Sequence, residues 1–128
     1  MSRYLSVEKG VYAVFGAPAW AAEKIPTYPS NFAAKANEYI RVSIIPGSSG
    51  VNRNSIAGVV IIDIFIAANN GAHRAFEIAD KLDSHFCNKT FDNVQFKTST
   101  LGEGKEDKVN PLLFRMGYTI PFNYFESL

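Results

Sequence analysis

The run Ser55-Ile56-Ala57-Gly58-Val59-Val60-Ile61-Ile62-Asp63-Ile64-Phe65-Ile66-Ala67 decides the fold class: it is too β-branched to favour a helix, and it breaks at Asn69-Asn70-Gly71 into a helical pattern. Valine and isoleucine are stiff at the first side-chain torsion and pack well on a pleated surface, so the run predicts a strand from about Gly58 to Ala67. Successive strand side chains point to opposite faces. Val60, Ile62, Ile64 and Ile66 therefore read as core, while Val59, Ile61 and Phe65 share the other face with Asp63. An antiparallel strand with one wet face alternates apolar and polar residues, so the second face also needs a cover. Either the chain's own N-terminal helix or a neighbouring subunit supplies it.

Working outward, Tyr39 to Ile45 alternates with Ile40, Val42 and Ile44 inward, and predicts a half-buried strand. It joins the central strand through a glycine- and serine-rich connection, residues 46 to 54. After the central strand, Ala72, Ala75, Phe76, Ala79, Leu82 and Phe86 mark the apolar side of a helix from about Ala72 to Cys87, with His73, Glu77, Asp80 and Ser84 opposite. Phe91 to Thr98 and Leu112 to Tyr124 read as two further strands, separated by a polar loop from Thr98 to Asn110. Pro121 has no amide donor and suggests a sheet edge or a bend. At the other end, Tyr4, Val7, Val11 and Val14 recur at helical spacing and predict a helix from Ser2 to Phe15, with Ser2 available as N-cap and Gly10 weakening its middle. Pro18, Pro26 and Pro29 then rule out a long regular element, so Ala17 to Glu38 reads as an extended arm. Its Trp20, Ile25, Tyr28 and Phe32 are too apolar to stay in water; the arm wraps its own core or reaches a neighbour. The sum is one α+β domain over residues 1–128: a mostly antiparallel sheet of about four strands, a helix packed on one face, and an N-terminal helix plus extended arm.

Composition narrows function further. With 13 basic and 12 acidic side chains the net charge is +1, which gives no global field for gathering nucleic acid or a membrane surface. The longest apolar stretch is interrupted by Asp63 and falls short of the roughly 20 residues that span a bilayer. Charges near the N-terminus stand where a signal peptide needs an apolar centre, so secretion is not expected. Cys87 is the only cysteine, cannot form an internal disulfide, and fits a reducing compartment.

Candidate chemistry is sparse. Gly102-x-Gly104-Lys105 lacks the full phosphate-loop spacing and is followed by Glu106 and Asp107, which repel phosphate. His73, Glu77 and Asp80 sit at i, i+4 and i+7, where they could approach one metal ion, but no further ligand accompanies them and a solvated polar face is the simpler reading. His85 and Cys87, two apart on one helix, point in different directions and do not form a base and nucleophile. Asp63, a carboxylate on an apolar strand face, must be hydrated, protonated or paired; Arg41 and Arg115 are the candidate partners. No catalytic residue, cofactor site or metal site is expected, and the chain reads as no enzyme.

The order of these features resembles the tail terminator proteins of long-tailed bacteriophages and prophages. The residues that carry the resemblance are Trp20, the arm from Ile25 to Phe32, Tyr39-Ile40-Arg41-Val42, Gly58 to Phe65, the Gly71-Ala72 turn, Ala79-Asp80-Lys81-Leu82 and Ile120-Pro121-Phe122-Asn123-Tyr124. The resemblance implies a structural virion protein, made in the host cytoplasm, that forms a hexameric ring on the head-proximal end of the tail tube. There it stops tube polymerisation and offers a docking surface to the head-tail connector. Its partners would be copies of itself, the tail tube protein and a connector or neck protein, with at most weak, sequence-independent contact with DNA in the channel and none with membrane. A neighbouring neck or head-completion protein is the alternative within that class, and a small-ligand-binding or hydrolytic α+β domain the alternative outside it. The expected subunit interface is Val59, Ile61, Phe65, Trp20, Ile25, Tyr28 and Phe32; the expected partner-binding loops hold Asn52, Arg53, Asn54, Lys105, Glu106 and Lys108.

Overall fold

The computed structural model describes residues 3–30, 37–49, 55–69, 71–107 and 112–125. In chain order the elements are α1 (Arg3–Phe15), α2 (Pro18–Ala21), β1 (Thr27–Pro29), β2 (Tyr39–Ser49), β3 (Ser55–Ala67), α3 (His73–Phe86), β4 (Thr90–Phe91), β5 (Val94–Phe96), β6 (Thr100–Leu101), β7 (Lys105–Glu106) and β8 (Leu113–Phe125).

The β-branched run forms the middle of the sheet. β3 pairs antiparallel with β2, from Tyr39 opposite Phe65 to Ser49 opposite Ile56, and with β8 along its whole length, from Ser55 opposite Phe125 to Ala67 opposite Leu113. The far side of β8 is shared by three short strands in succession: β7 at Arg115, β6 at Thr119 and β5 at Phe122. β4 pairs with β5, and β1 runs parallel to β2 on the opposite flank. The expectation of a mostly antiparallel sheet of about four strands with one helix packed on it is therefore corrected: among the described residues eight strands form one mixed sheet, curled into a half-barrel. The physical reason is β8, which is long enough to hold a full-length partner on one side and several short ones on the other. Lys105 and Glu106, expected in a loop, are the β7 residues.

Pro121 lies inside β8 rather than at an edge. Its carbonyl accepts from Lys97 N–H at 2.9 Å, so the side of the residue that would carry an amide donor faces away from β3. That side falls between the β6 and β5 pairings, at Thr119 and Phe122, and the missing donor breaks no ladder bond with β3.

One face of the sheet carries both long helices. Val7, Val11 and Val14 of α1 and Ala75, Ile78, Ala79, Leu82 and Phe86 of α3 join Ile40, Val42, Val60, Ile62, Ile64, Tyr118 and Ile120 in one core. Ile78 completes the apolar stripe of α3 at i+3 from Ala75, whereas Phe76 points outward at 51% exposure, correcting its assignment to the core side. Asn69 and Gly71 take left-handed backbone angles in the turn that leads from β3 to α3. Gly10 serves close approach rather than flexibility: a methyl there would overlap Val94 Cγ2 and stand 3.0 Å from the Phe91 carbonyl oxygen, so α1 rests directly on β4 and β5.

The arm is more folded than expected. α2 starts at Pro18, whose fixed backbone angle suits a first helical position, and it carries Trp20 into the core. There Trp20 packs edge-on against Phe15 and His85 and donates from Nε1 to Thr27 Oγ1 at 3.0 Å. The expected Ser2 cap lies outside the described residues.

Candidate functional site

The face of the sheet opposite α1 and α3 carries, row by row, Tyr39, Phe65 and Arg115; Arg41, Asp63 and Gly117; Ser43, Ile61 and Thr119; Ile45, Val59 and Pro121. The first row is largely closed by the chain itself. Tyr39 stacks on Phe65 with ring centroids 4.4 Å apart, Tyr28 meets Tyr39 edge-on, and Leu113 completes a small second core. Phe65 is consequently only 1% exposed. The lower rows are open: Ile45 is 47% exposed, and Ser43, Ile61, Val59, Thr119 and Pro121 are half-buried, with none of the described elements packed over them as the helices are over the other face. This is an apolar strip ending at a charged row.

The charged row sets a cation against a partly buried carboxylate. Arg41 lies directly across from Asp63, and its guanidinium sits over the Tyr39 and Phe65 rings, 5.9 and 5.4 Å from their centroids. Such placement favours a cation against the ring faces. Its Nε is buried and has no hydrogen-bond partner among the described residues. Burial pushes the Asp63 carboxyl above its ordinary value; Arg115 and Arg41 pull it down, Asp107 pushes it up, and burial prevails. Among the described residues Asp63 makes neither a hydrogen bond nor a close ion pair, so the pairing with Arg41 or Arg115 expected from sequence is a long-range attraction. Lys105 of β7, opposite Arg115, adds a third cation to this end of the face.

The interface residues expected from sequence therefore separate. Val59 and Ile61 lie together on the open strip. Phe65 belongs to the closed aromatic row beside half-buried Tyr28, and Trp20 and Ile25, 3% and 6% exposed, are in the main core. Phe32, Asn52, Arg53, Asn54 and Lys108 lie outside the described residues.

A second polar cluster was not legible from sequence. Asp83 Oδ1 accepts from Tyr118 Oη at 2.7 Å, Ser99 Oγ at 2.5 Å and Cys87 Sγ at 3.1 Å. Burial raises the Asp83 carboxyl, but the three hydrogen bonds outweigh it and hold the group below its ordinary value. Burial, together with the hydrogen bond to this carboxylate, pushes the Tyr118 hydroxyl strongly up. Tyr118 and Ser99 are 35 and 16 residues from Asp83, so no local pattern could announce the cluster. It latches the end of α3 to β8. Cys87 spends its proton on Asp83, and His85 lies against Trp20 with Nε2 3.5 Å from Glu23, so the two belong to different surroundings. His73 Nε2 stands 3.6 Å from Glu77 on the outer side of α3, and among the described residues no three potential metal ligands converge. No described helix is long and apolar enough to cross a membrane.

No protein-family model matches the chain, and no curated protein does. The fold is similar to that of a solved structure whose protein name states no function, with a TM-score of 0.72 and 14% identity over 96% of each chain. At that identity the likeness concerns the fold alone.

Proposed function

We propose that this chain is a structural subunit of a phage tail, assembling as a six-membered ring on the head-proximal end of the tail tube, where it stops tube growth and receives the head connector. The observation that carries the assembly part is the open half of the second sheet face, where Ile45, Val59, Ile61 and Pro121 form an apolar strip beside Arg41 and Arg115. Contiguous apolar surface rimmed by charge is what an association surface offers. The tail part rests on the order of sequence motifs from Trp20 to Tyr124.

The test replaces Ile61 by serine. Half-buried and not part of the core, Ile61 contributes modestly to the isolated fold, so the variant should lose about 1 to 1.5 kcal/mol and remain folded. On tail tubes it should fail to cap, leaving tubes over length in electron micrographs, and the mass of the assembled species should fall. Normal tube lengths with a folded Ile61→Ser variant would defeat the proposal. Phe65→Ser is unsuitable for this purpose, because Phe65 is buried and its loss costs about 3 kcal/mol or more of subunit stability.

A further inference from the structure

The outer side of α3 supplies a counterpart to the open sheet face. Phe76 is 51% exposed, and Asp80, one turn further on, and Glu77 beside it are exposed as well. The neighbouring cations are engaged elsewhere: Arg74 binds Glu38 with Nε–Oε1 at 2.9 Å, and Lys81 Nζ lies 3.5 Å from Glu23. The remaining charge of this helix face is the carboxylates of Asp80 and of Glu77, the latter 3.6 Å from His73 Nε2. On the open sheet face Arg41, Arg115 and Lys105 outnumber Asp63 and Asp107.

We infer that the outer face of α3 in one copy docks on the open sheet face of the next, Phe76 entering the Ile61 and Val59 strip and Asp80 and Glu77 meeting Arg41 and Arg115. The spacing agrees. On a helix, residues three or four apart have Cβ atoms about 5 to 6 Å apart, which places Phe76 and Asp80 one such step from each other. On β3, Ile61 and the Asp63 row lie two residues apart, about 6.6 Å. Arg41 stands in that row with its guanidinium over the Tyr39 and Phe65 rings, and Arg115 stands one row further on, opposite Phe65, so both cations lie at the end of the strip away from Val59. The outer surface of α1 is the competing counterpart, since Tyr4 and Leu5 are 54% and 58% exposed, but there Arg3 and Lys9 outnumber Glu8 and leave the face net positive.

The two surfaces lie on opposite sides of one layer, because α3 packs its other side on the core face of β3. The contact is therefore head-to-tail. Such contacts propagate from copy to copy and close into a ring when the rotation permits. This inference rests on the proposed ring function but names the contact that makes the ring.

Phe76→Cys and Ile61→Cys are combined in a Cys87→Ser chain, in which serine retains a hydroxyl donor to Asp83, and oxidised alone and on tail tubes. A ladder of multimers that needs both cysteines is expected. In parallel, Arg41→Glu and Asp80→Arg should each weaken self-association about tenfold or more. The two reversals in one chain should return it to within about threefold of the parent, as coupled contact residues do. Melting curves establish that each variant is folded. Oligomers of the double-cysteine chain in which positions 76 and 61 fail to crosslink on oxidation, a double reversal no better than its singles, or Ile61→Cys linking instead to tube protein would each overturn the inference while leaving tube capping intact. A crosslinked ring that leaves tubes uncapped would sustain the contact and defeat the proposed function. A chain that stays monomeric alone and on tubes would defeat both.

Discussion

Replacing Gly10 by alanine should destabilise the subunit, against the ordinary expectation for a helix interior. Alanine is favoured over glycine in a helix by about 1 kcal/mol, so on an isolated α1 the change would help. In the folded chain the new methyl overlaps Val94 Cγ2 and comes within 3.0 Å of the Phe91 carbonyl oxygen and of Val94 Cβ. Val94 is fully buried and β-branched, so it has no alternative rotamer to retreat to, and the carbonyl is backbone. Relief requires α1 to lift from β4 and β5, an overpacking cost of about 2 to 3 kcal/mol. The net effect is a loss of about 1 to 2 kcal/mol, or roughly 3 to 8 °C in melting temperature for a domain of this size. Urea unfolding followed by circular dichroism measures it, with an unchanged slope expected. In a Val94→Ala background the overlap with Cγ2 is removed while the 3.0 Å contacts with Cβ and the Phe91 carbonyl remain, so the same substitution should cost less, a coupling of about 1 kcal/mol. A higher melting temperature for Gly10→Ala alone would refute the close contact of α1 with β5.

Tyr118→Phe removes one of three donors to Asp83 and should cost about 1.5 to 3 kcal/mol in urea unfolding, as loss of a hydrogen bond to a charged group does. Because the folded Asp83 carboxyl lies below its ordinary 3.8, its contribution is full above that value and is lost as pH falls through the depressed one; the acid limb of stability against pH should be shallower in the variant. Asp63 has the opposite sign: its folded value is raised, so its own contribution to stability is most favourable below 3.8 and declines as pH rises through the raised value. Asp63→Asn should abolish that decline and leave the neutral-pH melting temperature equal or higher, and a lower one would show that attraction from Arg41 and Arg115 outweighs burial.

What could be read beforehand was whatever carried its own periodicity. The strand at the centre, the helix after Gly71 and the N-terminal helix were placed within a few residues, since each repeats its pattern over several turns or alternations. The expectation failed where elements are too short to repeat anything. β4, β6 and β7 are two residues each, and β1 and β5 three, so they exist only because a long neighbour offers free ladder positions. Asp92 and Asn93, both with positive backbone angles, turn the expected single strand from Phe91 to Thr98 into a hairpin. The site was half legible. The Val59, Ile61 and Phe65 face was identified from alternation, but which of its rows the chain closes for itself depended on Tyr28 and Leu113, brought in by a parallel strand and by β8. Phe76 was assigned inward because an aromatic beside an apolar stripe looks like its edge.

The full-length pairing of β3 with β8 also sets a timetable. Their closest partners, Ala67 and Leu113, are 46 residues apart and the most distant, Ser55 and Phe125, are 70 apart. Contacts so far apart in sequence form late, because the loop between them must close before any pair is gained. During synthesis at about 5 to 20 residues per second, β3 waits roughly 3 to 12 s between the emergence of Ala67 and that of Phe125. Throughout that interval a valine- and isoleucine-rich strand has β2 on one side and an unoccupied edge on the other. Chains made side by side at high expression therefore meet with matching free edges before their own β8 arrives, and yield of soluble subunit should depend on translation rate and temperature more than on the stability of the finished fold.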